Sequence, residues 1–173
     1  MDNNDLLIRL RYALDIKNKD MVDIFKLGGI DLSKEEVLKV LTKTPESDEE
    51  DDDSIWVDHE DHEDYIKAED FLFESFLNGF IIFKRGRQEP KPGQPEVPSL
   101  TNERSNNLLL KKVKIALQLT SEDMLEIWDL AGVTVTKGEL GALLRKVGHK
   151  NYKECGDRYA RNFLKGLAIK YRK

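Results

Sequence analysis

Residues 3–43, NNDLLIRLRYALDIKNKDMVDIFKLGGIDLSKEEVLKVLTK, align without a gap on residues 106–146, NNLLLKKVKIALQLTSEDMLEIWDLAGVTVTKGELGALLRK, with 15 of 41 positions identical. The identities include Asn3/Asn106, Ala13/Ala116, Met21/Met124, Gly29/Gly132, Glu36/Glu139 and Leu41/Leu144. A repeat of this length restricts the chain to one structural unit built twice. The spacing then drops from 103 to 87 residues, so 16 additional residues lie within residues 44–61 of the first copy. Beyond them the pairing resumes with His62/His149, Tyr65/Tyr152, Asp70/Asp157, Phe76/Phe163, Leu77/Leu164, Gly79/Gly166 and Ile82/Ile169.

The expected organisation is a first repeat at 1–89, a linker at 90–105 and a second repeat at 106–173. The stretch EPKPGQPEVPSLTNERS holds four of the five prolines, and proline cannot continue a helix, which makes it the linker.

Within each copy the apolar spacing is helical. Leu6, Leu7, Leu10, Ala13 and Leu14 recur as Leu109, Leu110, Val113, Ala116 and Leu117, one stripe along a first helix. A short second helix carries Met21, Ile24 and Leu27, or Met124, Ile127 and Leu130, and Gly29 or Gly132 suits a left-handed exit. SKEE (33–36) and TKGE (136–139) read as capping boxes opening a third helix. Asp70 and Asp157 stand where an acidic cap would start a fourth, bearing Phe76, Leu77 and Phe80, or Phe163, Leu164 and Leu167. No alternation of strand period competes, so the expected fold is all-α, eight main helices in a tandem duplication of a four-helix unit.

The long C-terminal motif GHKNYKECGDRYARNFLKGLAIKYR, together with NNLLLKKVKIALQL and DMLEIWDLAGVTVTKGELGALLRK, resembles the YehS-like family of small bacterial proteins with a duplicated domain of unknown function. The weaker first copy NNDLLIRLRYALDI supports the match, which extends over nearly the full chain. The resemblance implies a bacterial cytosolic protein and brings no activity, ligand or functional residue with it. The acidic insertion departs from the family pattern.

Composition agrees with a cytoplasmic location. Of the residues, 35% are charged and 39% hydrophobic, no apolar run approaches the roughly 18 residues of a membrane span, and the N-terminal stretch does not read as a signal peptide. The single cysteine, Cys155, has no internal disulfide partner and cannot build a multi-thiolate zinc site.

A catalytic reading of His149, Cys155 and Asp157 rests on a thiol whose pKa falls near a helix N-terminus, with histidine as base. The first copy keeps His62, Tyr65 and Asp70 but has Ala68 in place of Cys155. His62, Tyr65, Asp70, Gly79, His149, Tyr152, Asp157 and Gly166 are therefore read as structural, and no catalytic residue is assigned. The stretch DHEDHED (58–64) places His59 and His62 three apart, which is not the i, i+4 zincin spacing. It reads as a solvated acidic loop, and no metal or cofactor is expected. Leu27–Gly29 lacks the spacing and lysine of a phosphate-cradling loop.

Charge separates the copies. Residues 1–89 carry 12 Lys and Arg against 24 Asp and Glu, and residues 90–173 carry 16 against 9. Ten of the acids lie within residues 44–61, which hold no lysine or arginine. The cations Arg145, Lys146, Lys150, Lys153, Arg158, Arg161, Lys165, Lys170 and Arg172, interleaved with Tyr152, Tyr159 and Tyr171, are the candidate nucleic-acid contacts, because cations neutralise phosphates and tyrosines stack on unpaired bases. Residues 123–146 read as helix, turn, helix, but the second helix begins with Lys137, Gly138, Glu139 and Gly141, and two glycines and a glutamate are poor readers of base edges.

The expected function is a non-enzymatic helical binding protein that contacts RNA or a ribonucleoprotein through its second repeat. The alternative is a protein–protein adaptor or homo-oligomeric scaffold, and a cysteine-dependent enzyme ranks last. The acidic insertion reads either as a solubilising arm or as a competitor with phosphates for the basic copy.

Overall fold

The computed structural model describes residues 1–45, 64–86, 92–93, 100–101 and 103–172. Among them are eight helices and no strand: α1 (Asn3–Ala13), α2 (Asn18–Leu27), α3 (Lys34–Val40), α4 (Asp70–Arg85), α5 (Ser105–Ala116), α6 (Ser121–Leu130), α7 (Lys137–Leu144) and α8 (Asp157–Tyr171). No helix among these residues is long and apolar enough to cross a membrane.

Local chemistry sets the helix starts. Ser33 Oγ accepts the Glu36 N–H at 3.1 Å while Glu36 answers the Ser33 N–H at 3.0 Å, and Thr136 and Glu139 repeat the arrangement before α7. Each box satisfies two backbone donors that the first turn leaves open. Two further boxes, Asp2 with Asp5 and Thr120 with Asp123, start α1 and α6. Here an aspartate replaces the longer glutamate, which is why the expected sequence signature does not reveal them.

The copies also share backbone detail. Asp15 and Gln118, 103 residues apart, both take left-handed conformations, with φ of 50° and 53°. The next residues, Ile16 and Leu119, then donate to the Arg11 and Lys114 carbonyls at 3.0 and 2.9 Å. Gly29 and Gly132 make the expected left-handed exits, with φ of 94° and 81°.

Inside each copy the long last helix crosses the second helix at a glycine. A Cβ on Gly79 would lie 2.0 Å from the Ile24 carbonyl oxygen, and one on Gly166 would lie 1.9 Å from that of Ile127. Beside each crossing sits an equivalent aromatic pair: Phe25 with Phe76 at 4.9 Å between ring centroids, and Trp128 with Phe163 at 5.1 Å. These rings are buried, and each stabilises the fold by roughly 2–3 kcal/mol through apolar burial.

The larger architecture joins the copies. α4 of the first packs along α5 of the second, and α1 of the first packs along α8 of the second. Among the described residues, the buried apolar side chains of both copies form one continuous core. At the end of α8, Arg172 stacks 3.8 Å above the Tyr12 ring, donates to the Tyr12 carbonyl at 2.9 Å and lies 3.6 Å from the Asp15 carboxylate, so the last turn of one copy is fastened to the first helix of the other.

Candidate functional site

The connection from α7 to α8 is a stretch of cations on a fixed backbone. Behind it stands Asn107, fully buried on α5. Its Nδ2 donates to the Leu143 and Lys153 carbonyls, both at 3.0 Å, and its Oδ1 accepts the Cys155 N–H at 2.9 Å. One amide thus holds the end of α7 and the start of α8 together. Between those clamps the chain turns twice, with His149 N–H donating to Lys146, Tyr152 N–H to His149, and Lys153 N–H back to Ala142 at 3.0 Å. The His149 Nδ1 accepts the Asn151 N–H at 3.1 Å, which puts the neutral ring's proton on Nε2.

On this frame Arg145, Lys146, His149, Lys150 and Lys153 are exposed, and Val147 is 53% exposed among them. Among the described residues no carboxylate lies within 4 Å of the charged ends of Arg145, Lys146 or Lys150. The nearest acid in sequence, Glu154, is turned to Arg104 at 3.1 Å. Lys153 hangs 5.7 Å over the Tyr159 ring.

The remaining cations that the sequence pointed to are distributed differently. Arg158 is exposed on the first turn of α8, while Arg161 and Lys165 are half-buried further along. Lys170 and Arg172 stand at the far end of the helix, about 20 Å away at 1.5 Å per residue. There Lys170 meets Glu126 at 3.8 Å and Arg172 serves the Tyr12 latch. On α5, Lys111 pairs with Glu103, and burial holds the Lys112 ammonium below the usual lysine range against the pull of Glu74. Of the tyrosines, Tyr171 is exposed at the end of α8 beside Lys170. Tyr159 donates its hydroxyl to Glu139 at 3.0 Å and lies edge-on to Trp128, and partial burial raises the Tyr152 phenol.

The structural set is explained piece by piece. Gly79 and Gly166 are the helix crossings described above, and Tyr65 is half-buried. Asp70 and Asp157 differ from expectation: they are the first helical residues of α4 and α8, and the caps are Glu69 and Gly156, neither with a side-chain cap bond. Each aspartate instead accepts an amide N–H from the start of the first helix of its own copy, Asn3 to Asp70 and Asn106 to Asp157, both at 2.9 Å. They join helices rather than cap one. His149 bonds within its own turn, and His62 lies outside the described residues, as do residues 46–61 of the insertion.

Those contacts place four helix N-termini, those of α1, α4, α5 and α8, around a cavity of about 630 Å3 lined by both copies. The positive field of the helix starts is met there by the protein's own groups. Asp157 also receives the Met1 amine at 2.8 Å, and Ser105 reaches Asp70 at 3.5 Å. Cys155 lines the same cavity yet is only 2% exposed. Burial, then the Asp157 charge, push its thiol up to about 12, opposite in direction to an activated nucleophile.

Sequence reasoning missed Asn107 and its counterpart Asn4. Asn4 donates to the Val40, Thr42 and Ile66 carbonyls and accepts the Ala68 N–H at 2.8 Å. The available signal was the Asn-Asn pair repeated at residues 3–4 and 106–107.

A duplicated all-α protein with a clamped basic connection in its second copy is the class these features define. The chain belongs to the family described as protein of unknown function, DUF1456, whose model matches residues 3–86 and 106–173. It is 36% identical over 172 residues to the protein from Escherichia coli (strain K12) described as uncharacterized protein YehS, covering 98% of this chain and 96% of that one. No solved structure matches.

Proposed function

We propose that this is a non-enzymatic binding protein of the bacterial cytoplasm that contacts RNA, alone or within a ribonucleoprotein, through the α7–α8 connection. The observation carrying this reading is the set Arg145, Lys146 and Lys150: exposed cations with no carboxylate in reach among the described residues, on a backbone held by Asn107. A cation already paired gains little from a phosphate, whereas an unpaired one releases a counterion from the nucleic acid for each phosphate it neutralises. A pre-ordered loop also loses little conformational entropy on binding. With Lys153 included, four phosphate contacts give a slope of log K against log salt of about −3 on a single strand.

The test is binding of a labelled single-stranded RNA across a salt series. Changing Arg145, Lys146 and Lys150 together to alanine is expected to abolish most affinity and flatten the salt slope. Changing Lys170 and Arg172, which are engaged internally, is expected to leave the slope in place. Absence of RNA binding by the unaltered protein at low salt refutes the reading. Cellular partners that survive nuclease treatment would point to the protein adaptor instead.

A further inference from the structure

We infer that this chain is a single-chain dimer, in which each copy is a protomer completed only by the other, and that the buried Glu74 and the half-buried Lys112 form one of the charge pairs that hold the copies together. The first support is the depth of burial. On α1 every residue from Asn4 to Leu10 is buried, and on α4 every residue from Leu72 to Phe80. A surface helix buries one stripe, and a helix buried on all faces needs neighbours on all sides. For α4 they are α2 of its own copy and, as extensively, α5 of the other; for α1 the most extensive is α8 of the other copy. α1 and α4 of the same copy touch far less extensively. A separated first copy therefore exposes much of the apolar surface that holds it together, and the same follows for α5 and α8 by the correspondence of the copies.

The second support is charge at equivalent places. Glu74 on α4 is 1% exposed, accepts both the N–H and the hydroxyl of Thr101, and acts on the half-buried Lys112 of α5. At spacings of 87 and 103 residues, the counterpart of Glu74 is Arg161 and that of Lys112 is Arg9. Those counterparts lie on α1 and α8, the other helix pair that packs across the copies, and both are cations, so of these two equivalent places the α4–α5 one alone joins opposite charges. Breaking that pair leaves a buried charge without this partner, which opposes association. The family model, matching each copy separately, is consistent with a unit that is the single copy.

The experiment keeps the protein whole until it has folded. A protease site is introduced into the proline-rich linker, the folded protein is cut, and the fragments are followed by sizing and native mass spectrometry. Fragments that stay together with unchanged helicity support the inference, and fragments that part as folded monomers overturn it. Finally, Lys112→Glu is expected to raise the dissociation constant of the cut protein at least tenfold, and Glu74→Lys in the same chain to restore it. A double reversal no tighter than Lys112→Glu alone overturns the role of this charge pair.

Discussion

The side-chain oxygen of Asn107 accepts the backbone N–H of Cys155 at 2.9 Å across 48 residues of sequence, and Asn4 does the same for Ala68 at 2.8 Å. In both copies one buried amide at the start of the first helix ties down the chain that enters the last helix. In the second copy that tie also anchors the basic connection.

Asn107→Ala removes three hydrogen bonds at once and leaves the Leu143 and Lys153 carbonyls and the Cys155 N–H without their partner. Unsatisfied buried groups cost about 1–3 kcal/mol each, and water entering the gap recovers part of this, so a loss of roughly 3 kcal/mol is expected. Urea denaturation measures it. Hydrogen exchange at the Cys155 amide is expected to accelerate more than exchange in the core of α6, and equal acceleration would argue against a local clamp.

Two glycine-to-alanine changes separate close approach from helix propensity. At Gly166 the new Cβ overlaps the Ile127 carbonyl oxygen at 1.9 Å, which forces α6 and α8 apart and costs about 3 kcal/mol or more. At Gly141, within α7, nothing lies within 4 Å of the new Cβ, and alanine is expected to stabilise by about 0.5–1 kcal/mol. Thermal unfolding of both variants reads the opposite signs.

Cys155 is expected to be inert. With the thiol at about 12 and 2% exposed, almost no thiolate reaches a reagent in the native state at pH 8. Labelling by a disulfide reagent should be slow, rising with denaturant in step with unfolding. Cys155→Ala is expected to fold, since alanine already stands at the equivalent position 68. Rapid labelling of the native protein would contradict this environment.

The stability of the fold should fall on the acid side. Hydrogen bonds from Tyr159 and then Thr136 hold the Glu139 carboxyl below its ordinary range, and those from Ser33 and Thr120 do the same for Glu36 and Asp123. For Asp157, partial burial pulls upward, but the Met1 amine and Asn106 outweigh it and the net direction is down. A folded-state pKa below the unfolded one stabilises fully above the unfolded value, near 4, and that contribution drains away as pH falls through the depressed values. The melting temperature is therefore expected to decline from pH 5 to pH 3. Glu139→Gln should melt lower than the unaltered protein at pH 7, with the difference narrowing at pH 3; a gap independent of pH would deny the carboxylate's role. The same bond raises the Tyr159 phenol, so its contribution is lost only as pH rises through that elevated value.

The candidate site was half legible. A stretch with Arg145, Lys146, Lys150 and Lys153 is visible as letters, but whether a cation is free depends on what lies beside it in space. Lys170 and Arg172 read the same way in sequence, yet Glu126 and Tyr12, distant along the chain, engage them. The cap reading of Asp70 and Asp157 was off because their partners, Asn3 and Asn106, sit 67 and 51 residues away.

By itself the sequence determined the duplication, the eight helices, the boxes at Ser33 and Thr136 and the left-handed exits at Gly29 and Gly132. These depend on neighbours within a few positions, so short-range hydrogen bonding and apolar periodicity suffice. Only the tertiary structure decided that α1 lies on α8 and α4 on α5, that Asn4 and Asn107 are interior clamps, and that Cys155 is shut away. Each of those depends on burial between segments remote in sequence, where the identity of the neighbour sets solvation, charge and available hydrogen-bond partners. Two copies with nearly the same local pattern could have packed each on itself; the helices buried on every face show that they packed on one another.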